Sequence, residues 1–581
     1  MSAVSAGYPR VRRVLKAVLL AAALLVLAEL ILGSLYPWRY PVPLPYQREA
    51  NAEWCSSLSD GAPRMQARPQ LFDPSPPSDL FRVVVVGSSA VFGQNFTMFQ
   101  AFPWRLQRLL QRQGVKAEVL NLGRCALDSG DHLAALRSAL PVLKPAVVVI
   151  YTGNNEFHRL RAYAELNPDW NPEMETARMG LQRIGLYRAL RAWTGRDTDR
   201  GPAITGADVK GTGPAQGPGW SAHSVLPELR DMRARVTDPA RRLATDQYVH
   251  NLEEMAATAR GQGAKVVVCT VADNELSRPE FGEPSDPAAR ASFEKAESLM
   301  RQGAVDQARA YLLEQLRERP QDAWLHYELG LAAQASGDYG AARRSLSMAM
   351  ELDPRPTRAL PSFGAAVRRL AERRQLLVCD VEELLRVARP DGLLGGDLFC
   401  DNCHFGIAGM ERVATALAKC ISDGGLLPPA ASSRASSGAP FDPLDLEQTR
   451  LDSRLMEREG TRILAGQPPA EGAATQRLAE MLGEALPPSD TARGMVLRGH
   501  LLYGSGRFAE AAASYRRAIG TGLATPVVWR DLGHACVADN DAKGALDAYQ
   551  RFESEGGNDP VIHMWIRLLQ SPPSRPAPFA P

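Results

Sequence analysis

The sequence predicts an α/β fold: a doubly wound parallel sheet, split by one all-α insertion, followed by more all-α structure and preceded by a transmembrane helix. Three observations predict it. Short β-branched runs alternate with helical patterns from residue 81 to about 275 and again after 357, the order that builds a parallel sheet covered on both faces. Equivalent residues recur 34 positions apart in two separate stretches, as stacked helix pairs do. An apolar run from Ala17 to Tyr36 is about as long as a bilayer-spanning helix needs to be.

The chain is 581 residues long, too long for one hydrophobic core. Lys plus Arg is 67 and Asp plus Glu is 65, a net charge of +2. No basic stripe is interleaved with aromatics, so nucleic acid is excluded as an expected partner. Eight cysteines are too sparse for a disulfide framework.

Taken in order, residues 1–36 form a cytoplasmic N-terminus and a membrane anchor. Arg10, Arg12, Arg13 and Lys16 precede the apolar run and hold that end inside, which puts the bulk of the chain outside the cytoplasm. A cleaved signal peptide has a shorter core and an A-x-A-like site, and no such site follows here. Glu29 interrupts the run at an energetic cost. Residues 37–80 are proline-rich and read as a stalk. Residues 81–285 form the first part of the α/β domain. Its strands are Phe81–Val86, Val119–Leu122, Ala146–Tyr151 and Lys265–Thr270; helical patterns cover Pro103–Gln113, Leu133–Leu143 and Tyr248–Gly263. The Gly/Pro/Thr-rich stretch 195–220 reads as a mobile loop.

Residues 286–356 break the pattern. Gly303, Ala308, Leu312 and Pro320 return as Gly337, Ala342, Leu346 and Pro354. In 443–570, Gly499, Ala511 and Tyr515 return as Gly533, Ala545 and Tyr549, with Trp529 at an aromatic position. Both stretches resemble tetratricopeptide repeats, which implies protein partners. Between them, residues 357–421 resume the α/β pattern with the helix Phe363–Ala371, the strand Leu376–Asp380 and the helix Ile407–Cys420. Residues 422–442 are a linker and 571–581 a disordered tail. Two repeat pairs are few for a free solenoid, so the inserted pair is expected to pack on the α/β domain.

Chemistry concentrates where strands end. In a parallel sheet the turns after the strands share one edge, where sites form. Gly87-Ser88-Ser89-Ala90-Val91-Phe92-Gly93 follows the first strand, Asn121-Leu122-Gly123-Arg124-Cys125-Ala126 the second, and Gly153-Asn154-Asn155-Glu156 the third. A serine on a tight strand-to-helix turn is exposed beside free backbone N–H groups. The same turn also suits a phosphate or a plain loop, and Asn155 also suits a helix cap. Residues 400–404, Cys-Asp-Asn-Cys-His, carry two chemistries. Cys400-x-x-Cys403-His404 is a c-type haem attachment pattern; Asp401-x-x-His404 is an acid orienting a base. Cys400 and Cys403 also fit a disulfide or two buried thiols.

The blocks GSSAVFG, NLGRCA, GNNE and DNCH, in this order, resemble those of the SGNH (GDSL-type) hydrolases over residues 80–275 and 357–421. The resemblance implies a three-layer α/β fold and acyl-ester chemistry. Ser89 takes the place of the nucleophile, with Ser88 where the family has an acid. Ala126 takes the place of a glycine whose backbone N–H helps to bind the oxyanion, a role it can fill if its φ is negative. Asn155 supplies the side-chain donor, with Glu156 in the usual Asp place. Asp401 and His404 complete the triad, and Ser89 adds its own N–H to the oxyanion hole. The resemblance favours Asp401-x-x-His404 over haem, so neither a cofactor nor a metal is expected. The function implied is a membrane-anchored, extracytoplasmic serine esterase acting on an acylated glycan or lipid ester. The alternatives are an O-acyltransferase of surface polysaccharide and a catalytically inactive repeat scaffold.

Overall fold

A computed structural model describes residues 8–35, 42–44, 54–65, 68–93, 98, 100–194, 234–282, 284, 286–395, 397–428, 491–504 and 506–572. The loop expected at 195–220, most of the linker and most of the tail lie outside the described residues.

The central sheet has five parallel strands: β3 (Phe81–Gly87), β4 (Ala117–Gly123), β5 (Val147–Tyr151), β6 (Lys265–Cys269) and β7 (Leu377–Cys379), in the order β4-β3-β5-β6-β7. β3 lies between β4 and β5 in a sheet with helices on both faces, and all of Phe81–Gly87 is buried. That is why it is written in valines rather than in alternating residues. The helices Ser129–Leu143, Asp238–Gly261 and Pro361–Arg374 pack as one layer; Phe102–Arg112 and Ile407–Asp423 pack as the other. The chain order reverses beside β3, where β4 goes to one side and β5 to the other. Ligand sites form at such a reversal, beyond the carboxyl ends of the strands.

The insertion consists of four helices, Pro287–Arg301, Val305–Glu318, Ala323–Ala335 and Tyr339–Glu351. The 34-residue recurrence is a packing recurrence. Ala308 and Leu312 are fully buried, as are Ala342 and Leu346. Gly303 and Gly337 turn the chain at φ 75° and 78°, a conformation that suits glycine. The C-terminal segment repeats the same solution in Ala492–Gly504, Phe508–Gly520, Pro526–Ala538, Ala542–Ser554 and Pro560–Gln570. A Cβ on Gly499 would lie 2.4 Å from the Tyr515 ring, and one on Gly533 would lie 2.4 Å from the Tyr549 ring.

The stretch read as a stalk is not one throughout. Residues 54–65 form a hairpin of β1 (Cys55–Ser57) and β2 (Pro63–Met65). Trp54, Met65 and Phe72 enter the main core, while Leu58, Ala62 and Leu71 enter the core of the C-terminal repeats. The proline-rich composition concealed this, because the apolar residues are few and widely spaced. Through the hairpin the C-terminal repeats dock on the α/β domain: Arg64 Nη1 donates to Val537 O at 2.7 Å and Ser59 N to Asn540 Oδ1 at 3.1 Å. Trp104 meets His534 edge-on at 5.6 Å. The N-terminal helix, Tyr8–Leu35, contains an 18-residue stretch from Val18 to Leu35 with mean hydropathy 2.5, long and apolar enough to cross a membrane.

Candidate active site

The turn after β3 is built for close approach. A Cβ on Gly87 would sit 1.9 Å from the Tyr151 carbonyl oxygen, and one on Gly123 would sit 2.3 Å from Phe92 N. Neither position accepts a side chain without moving backbone. Ser89 therefore opens the short helix Ser89–Phe92 directly off the sheet. Two polar side chains fix that helix. Asn121 Nδ2 donates to Val91 O at 2.9 Å, while its Oδ1 accepts from Gly123 N at 2.8 Å. The buried Arg68 donates to Phe92 O at 2.7 Å and to Gly93 O at 2.6 Å.

The loop carrying Asp401 and His404 is closed on itself. Phe399 and Phe405 form an antiparallel bridge and stack at 4.9 Å, and Cys400 N donates to His404 O at 2.8 Å. Asp401 Oδ1 accepts from Cys403 N at 2.9 Å and from His404 N at 2.7 Å. This Asx-type turn aims the imidazole. Asp401 Oδ2 lies 2.6 Å from His404 Nδ1, and His404 Nε2 lies 2.7 Å from Ser89 Oγ. Three residues singled out in the sequence, 315 positions apart at the longest step, thus form one hydrogen-bonded chain.

Burial works against charge on both members of the Asp401–His404 pair, but their mutual attraction outweighs it. Asp401 is held below the usual carboxylate range by the histidine and by two backbone N–H donors. His404 is raised well above 6.5, chiefly by the Asp401 charge. Both ring nitrogens of His404 are engaged, Nδ1 with Asp401 and Nε2 with Ser89. Asp401, Cys403 and His404 have potential metal-binding atoms within 4.8 Å of one another. Burial pushes the Cys403 thiol up to about 11. Cys400 and Cys403 are separate buried thiols.

Ala126 and Asn155 lie on the turns after β4 and β5, the two strands paired with β3. Asn155 Nδ2 donates to Leu127 O at 3.0 Å, which ties the third turn to the second. Among the described residues, the backbone N–H groups of Ser89 and Ala126 have no acceptor within reach. The condition set for Ala126 is not met, because its φ is +59°. A left-handed conformation costs an alanine about 1–2 kcal/mol. The backbone at Ala126 adopts a conformation that suits glycine, and among the described residues its N–H is unpaired without the negative φ expected for the role. Ala126→Gly is therefore expected to stabilise the protein by about 0.5–1 kcal/mol, the relief of strain less the added freedom of the unfolded chain. Urea unfolding measures this, and an unchanged or lower midpoint contradicts it.

Glu156 has a different task from a surface acid. Its carboxylate accepts from Ser129 N at 2.8 Å and from Ser129 Oγ at 2.7 Å, and is buried. It joins the start of helix Ser129–Leu143 to the Asn155 turn.

Sequence reasoning missed the residues around the insertion. Asn154 Nδ2 donates to Asp273 Oδ1 at 2.9 Å, and Ser88 Oγ donates to Asn154 Oδ1 at 3.3 Å. Burial pushes the Asp273 carboxyl up to about 8, against the pull of Arg358. Asn274 Nδ2 donates to Asp401 O at 2.9 Å, Arg358 Nη1 to Asn274 O at 2.5 Å, and Asn402 Nδ2 to Thr357 Oγ1 at 2.9 Å. The segments that flank the insertion therefore grip the Asp401–His404 loop. The one available signal was a polar run, Asp273-Asn274-Glu275, just past a strand end.

Comparison with known proteins separates the two parts of the chain. The tetratricopeptide repeat family matches residues 281–323 and 496–560. No curated protein sequence matches significantly. Among solved structures, the chain aligns with a GDSL-like lipase from Bacteroides thetaiotaomicron at 12% identity, covering 60% of this chain and 91% of that one, TM-score 0.27. An acetylxylan esterase from Geobacillus stearothermophilus aligns at 11% identity, covering 60% and 96%, TM-score 0.26. TesA aligns at 14% identity, covering 60% and 99%, TM-score 0.25. The chain thus combines a parallel α/β domain with tetratricopeptide repeats, one set inside the domain and one following it.

Proposed function

We propose that this protein is a membrane-anchored serine hydrolase of the SGNH type that cleaves acyl esters outside the cytoplasm. One observation carries the reading: the buried chain Ser89 Oγ–His404 Nε2, His404 Nδ1–Asp401 Oδ2, at 2.7 and 2.6 Å. A plain structural histidine has no need of a serine at a sheet-edge turn on one side and an aspartate fixed by two backbone donors on the other.

The chemistry follows from those contacts. His404 Nε2 takes the Ser89 proton as Oγ attacks the ester carbonyl, and Asp401 stabilises the imidazolium that forms. The tetrahedral oxyanion is met by the Ser89 and Ala126 N–H groups and the Asn155 amide. The imidazolium then protonates the departing alcohol, leaving an acyl-Ser89 ester. Water, deprotonated by His404, releases the acid and restores the serine. Protein partners are assigned to the repeats. The substrate class is an acylated glycan or a lipid ester, on the strength of the location alone.

A fluorophosphonate probe tests the reading. Covalent labelling of the full chain, mapped to Ser89, is expected; an unlabelled protein that also leaves nitrophenyl acetate intact sinks it. The insertion offers a second check. Asn274→Ala removes a donor to the Asp401 carbonyl and is expected to lower kcat about 10- to 100-fold, with KM little changed, because small misplacements of a catalytic loop are costly. Unchanged kcat removes the Asn274 contact from the mechanism.

A further inference from the structure

Outside the N-terminal helix, seven of the twelve exposed large hydrophobic side chains among the described residues lie between Leu166 and Trp193. That stretch contains two helices, Pro172–Leu181 and Gly185–Trp193. On the second, Leu186, Leu190 and Trp193 are 51%, 53% and 84% exposed. Spaced i, i+4 and i+7, they form one stripe. Arg188 and Arg191 lie on the other side of the helix by the same spacing, and Arg183 is exposed just before it.

The same helix packs on the N-terminal helix. Ala28, Glu29, Leu32 and Gly33 are its half-buried residues near that end. A Cβ on Gly185 would lie 2.7 Å from Gly33 N, so the two backbones touch. Gly185 N and Leu186 N donate to the Glu29 carboxylate at 2.5 and 3.0 Å. Those N–H groups have no partner within their own helix, and the positive end of its dipole faces the acid. The contact explains an acid inside an apolar span: Glu29 is capped there rather than left bare. Glu29 is six residues from the helix end at Leu35, about 9 Å along the axis. Helices lying in a membrane interface bury their apolar face about 5–10 Å deep.

We propose that Pro172–Trp193 is a second membrane element, a helical hairpin whose apolar stripe lies among the lipid headgroups and upper acyl chains beside the N-terminal helix. The proposal rests on reading Tyr8–Leu35 as an anchor. The occupant of the exposed stripe is lipid, preferentially anionic: the stripe continues the surface of a membrane-length helix, the exposed Arg183 precedes it with Arg188 and Arg191 on the helix's polar side, and a tryptophan ends it, as at membrane–water boundaries. Leu44 N donates to Glu175 Oε1 at 2.9 Å, which ties the chain leaving the anchor to the hairpin. The helix Glu156–Leu166, which starts at Asn155, leads from the candidate site to this element, so catalytic domain and membrane surface are coupled by a rigid strut.

The test uses the full chain in phosphatidylglycerol–phosphatidylcholine vesicles. The photo-crosslinker p-benzoylphenylalanine replaces Leu24, Leu190, Trp193 or Met348 in turn. Adducts to phospholipid are expected at 24, 190 and 193, at least tenfold above those at 348, an exposed apolar position on the insertion. Lipid adducts at 24 but not at 190 or 193 overturn the hairpin proposal and leave the anchor standing. Protein–protein adducts at 190 and 193 overturn it in favour of a second copy. Absence of adducts at 24 overturns the anchor reading and the proposal together.

Discussion

Ser89→Ala is expected to lower kcat/KM for nitrophenyl acetate by about 10⁴-fold or more, equivalent to roughly 5.5 kcal/mol of transition-state stabilisation. The change removes one oxygen. The turn that holds it is set by Gly87, Gly123, Asn121 and Arg68, none of which bonds to that oxygen, so the fold should persist. On the proposed reading, what remains is catalysis by the backbone donors and Asn155, which would position and polarise a carbonyl without a nucleophile. Fluorophosphonate labelling should vanish in the variant. Activity within threefold of the parent, with an intact circular dichroism spectrum, removes Ser89 as nucleophile and revives the inactive-scaffold alternative.

Asp401→Asn should cost about 10⁴ in kcat, because the amide cannot stabilise the imidazolium or hold the required tautomer. A pH signature accompanies it. His404 must be neutral to act as base, and Asp401 holds its pKa well above 6.5. The rising limb of kcat/KM should therefore lie above pH 6.5 in the parent and move down in the variant. Stability gives the same sign independently. A raised histidine pKa contributes stability that is fully present below about 6.5 and is lost as pH rises through the folded value. A lowered carboxylate pKa contributes stability present above about 3.9 and lost as pH falls through its own folded value. The gap in Tm between parent and variant should thus be widest between about pH 4 and 6.5 and narrow toward alkaline pH. A gap that grows with pH contradicts the assigned charges.

How far the sequence was legible depended on how local each cause was. The valine run of β3 is local, since a strand buried on both faces must be apolar at every position. The 34-residue period is local too, because each repeat packs the same small residue against the same large one, as Gly499 with Tyr515 and Gly533 with Tyr549 do. Three short motifs at strand ends and a fourth in the loop before the last α/β helix were enough to name Ser89, Ala126, Asn155, Asp401 and His404 as candidates. The hairpin at 54–65 was not legible: its few apolar residues are shared between two cores, and neither core exists until distant segments meet. The left-handed Ala126 was not legible either. Alanine gives no sign of positive φ, and the conformation is imposed by surrounding structure.

By itself, the sequence determined the parallel α/β class, the repeats, the apolar N-terminal span and the order of the motif residues, because periodicity and turn chemistry act over a few neighbouring residues. Only the tertiary structure decided that His404 faces Ser89. It also decided that the segments flanking the insertion, through Asn274 and Arg358, grip the loop that carries His404, and that Glu29 is met by the N-terminus of a second helix. Each of these depends on a hydrogen bond of 2.5 to 3.0 Å between residues far apart in the chain. Directional contacts of that range are fixed by packing and leave no periodic trace in the sequence.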